Sequence, residues 1–116
     1  MSVLLLTADL MVISKAGTAG ARTGVAVASV SSADELVTKA EEAPQDLVVL
    51  DLSLAGLDIE AVVARLQRLE APPAAIVAFG PHVHEQLLER ARAAGVDEVM
   101  PRGSFHARIE ELLAQN

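Results

Sequence analysis

Five short apolar runs, each followed by a helical pattern, constrain this chain more than any other feature. They are VLLLT (residues 3–7), VAVASV (25–30), LVVLDL (47–52), AAIVAFG (74–80) and the shorter DEVM (97–100). None alternates with polar residues, which suits strands of a parallel sheet buried on both faces. Helical periodicity fills the gaps. Leu36, Val37 and Ala40 form the inner stripe of a helix over 33–42, and Ser32 with Glu35 makes an S-x-x-E capping box before it. Ile59, Val62, Val63, Leu66 and Leu69 mark a helix over 59–70, stopped by PPA. Leu87, Leu88, Ala91 and Ala94 mark another over 82–94, with Gly95 as its left-handed terminator. Phe105, Ile109, Leu112 and Leu113 mark a last helix over 105–114, with Ser104 as candidate cap. The first helix, over about 9–22, carries Gly17 and Gly20, each costing about 1 kcal/mol of propensity relative to Ala. Leu10 and Ile13 give it an apolar face, and its small residues suit close packing on a sheet.

A strand–helix unit repeated five times predicts a parallel sheet with right-handed crossovers and helices on both faces. Such a sheet has a switch point, where ligands and chemistry sit at the carboxyl ends of the strands. The residues at those ends are Thr7, Ala8 and Asp9; Asp51; Gly80, Pro81 and His82; and Pro101 and Arg102. The 116 residues are one domain's worth, 1–116, and long enough to bury a core without staples. Phe79 and Phe105 are the only aromatic side chains, so Leu, Val, Ile and Ala must build that core.

The order and spacing of these elements resemble the receiver domains of bacterial two-component signalling over nearly the whole chain. The resemblance is carried by Asp51 closing LVVLD, by the LSLAGLD loop after it, and by ARAAGVDEVMPRG late in the sequence. It implies a flavodoxin-like (βα)5 three-layer sandwich with a five-stranded parallel sheet in the order 2-1-3-4-5. It also implies that Asp51 stands where such domains accept a phosphoryl group, and Arg102 where they carry a lysine. The acidic pair that binds Mg²⁺ in those domains falls on Thr7 and Ala8, the phosphoryl-sensing hydroxyl on Gly80, and the aromatic reporter on Val99. The scaffold therefore matches while most of the chemical set is missing.

An aspartate and a phosphorylated donor repel each other, and Mg²⁺ removes that repulsion through hard oxygen ligands, usually one or two carboxylates. Thr7 offers one neutral oxygen and Ala8 none. Asp9 lies one place late and is read first as the cap of the first helix. Asp9 and Asp51 stay as weak candidates for a metal site. Arg102 has three open roles: holding a phosphoryl group, an ion pair with Asp51, or a solvent-facing loop residue. Asp51 itself has a plainer role, stabilising a turn through its own backbone contacts. Thr7, Ala8, Gly80, Pro81 and His82 would line the pocket, and His82 could add a pH-sensitive charge at its rim.

Three functions follow. The first is a stand-alone, degenerate receiver (a pseudo-receiver) that signals through protein–protein contact without normal Mg²⁺-dependent phosphorylation, and is not an enzyme. Its partners would be a histidine kinase or an output protein in trans, with a homodimer through residues 82–115 as a further option. The second is a working receiver phosphorylated on Asp51, with Asp9 as a Mg²⁺ ligand and Arg102 as the phosphoryl clamp; only this one needs a cofactor. The third is a flavodoxin-like domain that holds a small ligand such as a nucleotide or flavin, disfavoured by the scarcity of aromatic rings.

A formal net charge of −7 argues against nucleic acid as a partner. The absence of cysteine excludes disulfides and thiolate metal sites. No apolar run reaches the ~20 residues of a membrane helix, and the N-terminal MSVLLLTADL lacks a basic leader. The chain is expected to be cytoplasmic.

Overall fold

A computed structural model describes residues 1–114. The strands are β1 (Ser2–Leu6), β2 (Ala26–Val30), β3 (Leu47–Asp51), β4 (Ala75–Gly80) and β5 (Glu98–Pro101). The helices are α1 (Leu10–Thr23), α2 (Ala33–Glu42), α3 (Ile59–Gln67), α4 (Glu85–Ala94) and α5 (Arg102–Ala114). All strand pairs are parallel, and the order across the sheet is β2-β1-β3-β4-β5. This is the flavodoxin-like arrangement of receiver domains.

Side chains along a strand alternate between faces, and that parity divides the core in two. Leu4, Leu6, Val48, Leu50, Ile76 and Ala78 face α2, α3 and α4, where they meet Leu36, Val63, Leu66, Leu88 and Ala91. Val3, Leu5, Leu47, Val49, Val77 and Phe79 face α1 and α5, where they meet Val12, Ala16, Phe105 and Ile109. Asp51 shares its parity with Leu47 and Val49 and is in register with Phe79, so it belongs to the α1/α5 side. Gly80 has the opposite parity and belongs to the other side.

Several sequence expectations need correction. β2 is an edge strand, and Ala26, Ala28 and Ser29 are exposed, so it is not buried on both faces. The buried stripe of α1 is Val12, Ala16, Ala19 and Gly20, while Leu10 is 80% exposed. A Cβ on Gly20 would lie 2.8 Å from both the Val25 carbonyl oxygen and Val27 Cγ2. It is the absence of a side chain there that lets α1 lie against β2. α3 stops at Gln67, short of residue 70. α4 starts at Glu85 instead of 82, because a turn closed by the His84 amide on the Pro81 carbonyl occupies 81–84. α5 begins at Arg102, directly after β5, which leaves Ser104 inside its first turn instead of capping it.

Other local signals act as read. Ser32 accepts the Glu35 amide at 3.1 Å, and the Glu35 carboxylate returns to the Ser31 amide at 3.0 Å. Gly95 ends α4 at a φ of 101°, where any other residue would be strained; Gly24, which the sequence reading did not single out, ends α1 in the same way at 73°. Among the described residues no helix is long and apolar enough to cross a membrane.

Candidate functional site

The carboxyl ends of β1 and β3 and the start of α5 bring Thr7, Asp9, Asp51, Ser53 and Arg102 together. Asp51 is 3% exposed. A buried carboxylate is tolerable only when donors replace its water. Here the Thr7 hydroxyl donates to Asp51 Oδ2 at 2.6 Å. Ser53 gives Asp51 Oδ1 two more donors, its hydroxyl at 2.6 Å and its amide at 3.0 Å. The amide bond is the Asx-turn role that an aspartate after a strand commonly takes. Arg102 Nη2 lies 3.5 Å from the same Oδ1 and donates to Ser53 Oγ at 2.8 Å.

Arg102 makes its shorter ion pair with Asp9. Its Nη1 donates to Asp9 Oδ2 at 2.6 Å. Asp9 also caps α1, accepting the Met11 and Val12 amides on Oδ1 at 2.9 and 3.4 Å. Partial burial raises the Asp9 carboxyl, but those two amides and the Arg102 guanidinium outweigh it and leave it below its ordinary value. Asp9 is tied to the centre through Thr7 as well, since the Asp9 amide donates to Thr7 Oγ1 at 3.0 Å. The hydroxyl of Thr7 thus accepts on one side and donates on the other.

The guanidinium of Arg102 rests on an aromatic floor. Its Cζ lies 5.2 Å from the Phe79 ring centroid, and Phe79 stacks on Phe105 with centroids 4.2 Å apart and planes 6° from parallel. Four residues after Arg102, His106 meets the Phe105 ring edge-on. Its Nδ1 is buried with no hydrogen-bond partner, and burial, Lys15 and Arg102 together push the imidazole below its usual range against a smaller opposing pull from Asp9.

The remaining candidates stand apart from this network. Ala8 is exposed at the end of β1, and Pro81 is half-buried beyond β4. Gly80 faces away from Asp51: a Cβ there would lie 3.2 Å from Leu52 Cβ and 3.6 Å from Leu88 Cδ2. Val99 packs with the α2–α4 cluster. His82 is exposed and lines an open groove with Val83, His84, Leu87 and Arg90 at the start of α4. Ser53 and the Phe79–Phe105 stack are the parts that sequence reasoning missed. A hydroxyl two residues after Asp51 was the visible signal for Ser53; the stack had none, because it joins β4 to α5.

Magnesium does not fit this set. It needs near-octahedral oxygen coordination and keeps several waters. Asp9 and Asp51 are already turned to a helix terminus, two hydroxyls and a guanidinium whose positive charge lies against both. Among the described residues no group of three or more His, Asp or Glu is placed to hold a metal.

No protein-family model matches the chain, and no curated protein matches it. Solved structures do. A response regulator from Hahella chejuensis superposes with a TM-score of 0.84 at 20% identity, over 97% of this chain and 92% of that one. The receiver domain of a sensor histidine kinase from Pseudomonas aeruginosa, solved with magnesium in its active-site cleft, gives 0.81 at 18% identity, over 97% and 93%. A signal receiver domain from Bermanella marisrubri gives 0.76 at 19% identity, over 96% of each chain. At these identities the likeness is one of fold.

Proposed function

We propose that this chain is a receiver-like signalling module that works by binding other proteins, and that its central aspartate is not switched by magnesium-dependent phosphorylation. The observation that carries this reading is the enclosed carboxylate of Asp51, whose two oxygens already accept from Thr7 and Ser53 beside the Arg102 charge. An incoming phosphoryl donor would have to break those bonds without a metal to offset its own charge. The position of Gly80 supports the same reading. Where a phosphoryl-sensing hydroxyl would be needed, the chain has a glycine packed on Leu52 and Leu88, on the other face of the sheet.

In this reading the module is cytoplasmic, non-enzymatic and a single domain over 1–116, acting in trans on a kinase or an output protein. Its contact face would be α4, β5 and α5, the same face as a homodimer through 82–115, of which residue 115 lies outside the described residues. Two arginines of that face are held within the molecule. Arg90 makes a two-pronged pair with Glu60 of α3 at 2.9 and 2.8 Å, and that guanidinium holds the Glu60 carboxyl down at about 2. Arg92 pairs with Glu89. Glu85, Gln86 and Val83 are exposed and left to meet a partner.

The test is a titration of the protein with beryllofluoride and Mg²⁺, followed by amide NMR. The spectra are expected to be unchanged around Asp51 and along α4–β5–α5. A change on both, abolished by Asp51→Asn, would overturn the reading. A partner captured by the wild type is expected to be captured equally by Asp51→Asn.

A further inference from the structure

We propose that Arg102 is a built-in cation: its guanidinium holds the place between Asp9 and Asp51 that a divalent metal would need, and removing it converts the two carboxylates into a divalent-cation site. One planar group meets both acids, through Nη1 to Asp9 Oδ2 at 2.6 Å and through Nη2 beside Asp51 Oδ1 at 3.5 Å. Ser53 Oγ, a further hard oxygen, is held by the same Nη2 at 2.8 Å. Two carboxylates this close would repel one another if nothing positive lay between them.

The position of Arg102 in its own helix is a second, independent observation. It is the first residue of α5. A helix N-terminus carries partial positive charge and disfavours a cation. An arginine at that end, folded back over Phe79 toward β1 and β3, is accounted for by the two acids it faces and not by the helix it begins. Unlike a metal, a guanidinium stays charged at every physiological pH and cannot be removed by dilution or chelation. The site is therefore permanently in the state that other chains reach only by taking up an ion from solution.

The inference rests on the proposed reading in one respect, that Asp51 works without a resident metal. The two fail separately. Loss of partner binding would leave the cation argument untouched, and cation uptake is measured without any partner.

The experiment compares the wild-type protein with Arg102→Met and Arg102→Gln. Each is titrated with Mn²⁺, followed by the loss of the free-ion EPR signal, and with Mg²⁺, followed by the thermal midpoint. The wild type is expected to show no saturable Mn²⁺ uptake and no Mg²⁺-dependent midpoint. Arg102→Met and Arg102→Gln are expected to bind Mn²⁺ about tenfold or more tightly than the wild type, since a repelling charge has become a vacancy between two attracting ones. They are expected to gain a midpoint that rises with Mg²⁺ and to lose both effects when Asp9→Asn is added. Saturable Mn²⁺ uptake by the wild type, removed by Asp51→Asn, overturns the proposal by itself, whether or not the variants fold. Folded Met and Gln variants that take up no more Mn²⁺ than the wild type overturn it as well, because ligand shortage and not Arg102 would then be what excludes the metal.

Discussion

Thr7 and Asp51, 44 residues apart in sequence, are joined by a buried 2.6 Å hydrogen bond from hydroxyl to carboxylate. Thr7 directly follows the strand beside the one that Asp51 closes, and both side chains are buried. Its hydroxyl is a donor to the central carboxylate and at the same time the acceptor of the Asp9 amide. Thr7→Val keeps the shape and removes the donor, leaving Asp51 Oδ2 buried and the Asp9 amide without its acceptor. The variant is expected to lose about 1–3 kcal/mol of stability in a denaturant titration. Thr7→Ser is expected to recover most of it.

The lower of two acid responses belongs to Asp9. Its folded carboxyl lies below its ordinary value, so it holds a proton less tightly than in the unfolded chain. The stability this contributes is present above about pH 4 and is lost as pH falls through the folded value. Asp9→Asn is expected to be less stable at neutral pH and to show a flatter acid limb. Matched urea titrations between neutral and acidic pH measure both.

A separate step belongs to His106. Its folded imidazole is held below its usual range, so the unfolded chain takes up a proton that the folded chain resists. Stability is complete above about pH 6.5 and falls as pH drops from there toward the folded value. His106→Leu is expected to remove this upper step and leave the Asp9 step in place. The pH dependence of the thermal midpoint separates the two, and imidazole NMR reads the His106 titration directly.

The two glycines inside α1 should respond in opposite directions. A Cβ at Gly20 would strike the Val25 carbonyl and Val27 Cγ2, whereas nothing lies within 4 Å of one at Gly17. Gly20→Ala is expected to cost about 1–3 kcal/mol through forced separation of α1 from β2. Gly17→Ala is expected to add about 0.5–1 kcal/mol through helix propensity alone. Equal effects in chemical denaturation would show that close approach at Gly20 is not what the helix depends on.

These residues also show what was legible before folding. The runs at 3–7, 47–52 and 74–80 announce central strands because apolar side chains on both parities can only be buried between two layers. The run at 25–30 looks the same, yet β2 is an edge. Which strand ends a sheet is decided by pairing with distant segments, and no local pattern carries that. The face of α1 was misread because Leu10 outweighs Ala and Gly in any reading by hydrophobicity, while contact with a nearby sheet selects for small size. Ser104 has the chemistry of a cap, but α5 is started by Arg102, whose partner Asp9 lies 93 positions away. Asp51 could be placed from its strand and loop alone. Thr7 and Arg102 could be named as its neighbours from their strand ends, but Ser53 and the bond from Arg102 to Asp9 could not, because side-chain direction at a strand end is set by packing between distant segments.

The missing loop between β5 and α5 has a mechanical consequence. Pro101 closes the strand and Arg102 opens the helix, so the rod that begins there has no slack at its base. Any displacement of α5 would therefore strain the Arg102 side chain against its bonds to Asp9 and Ser53.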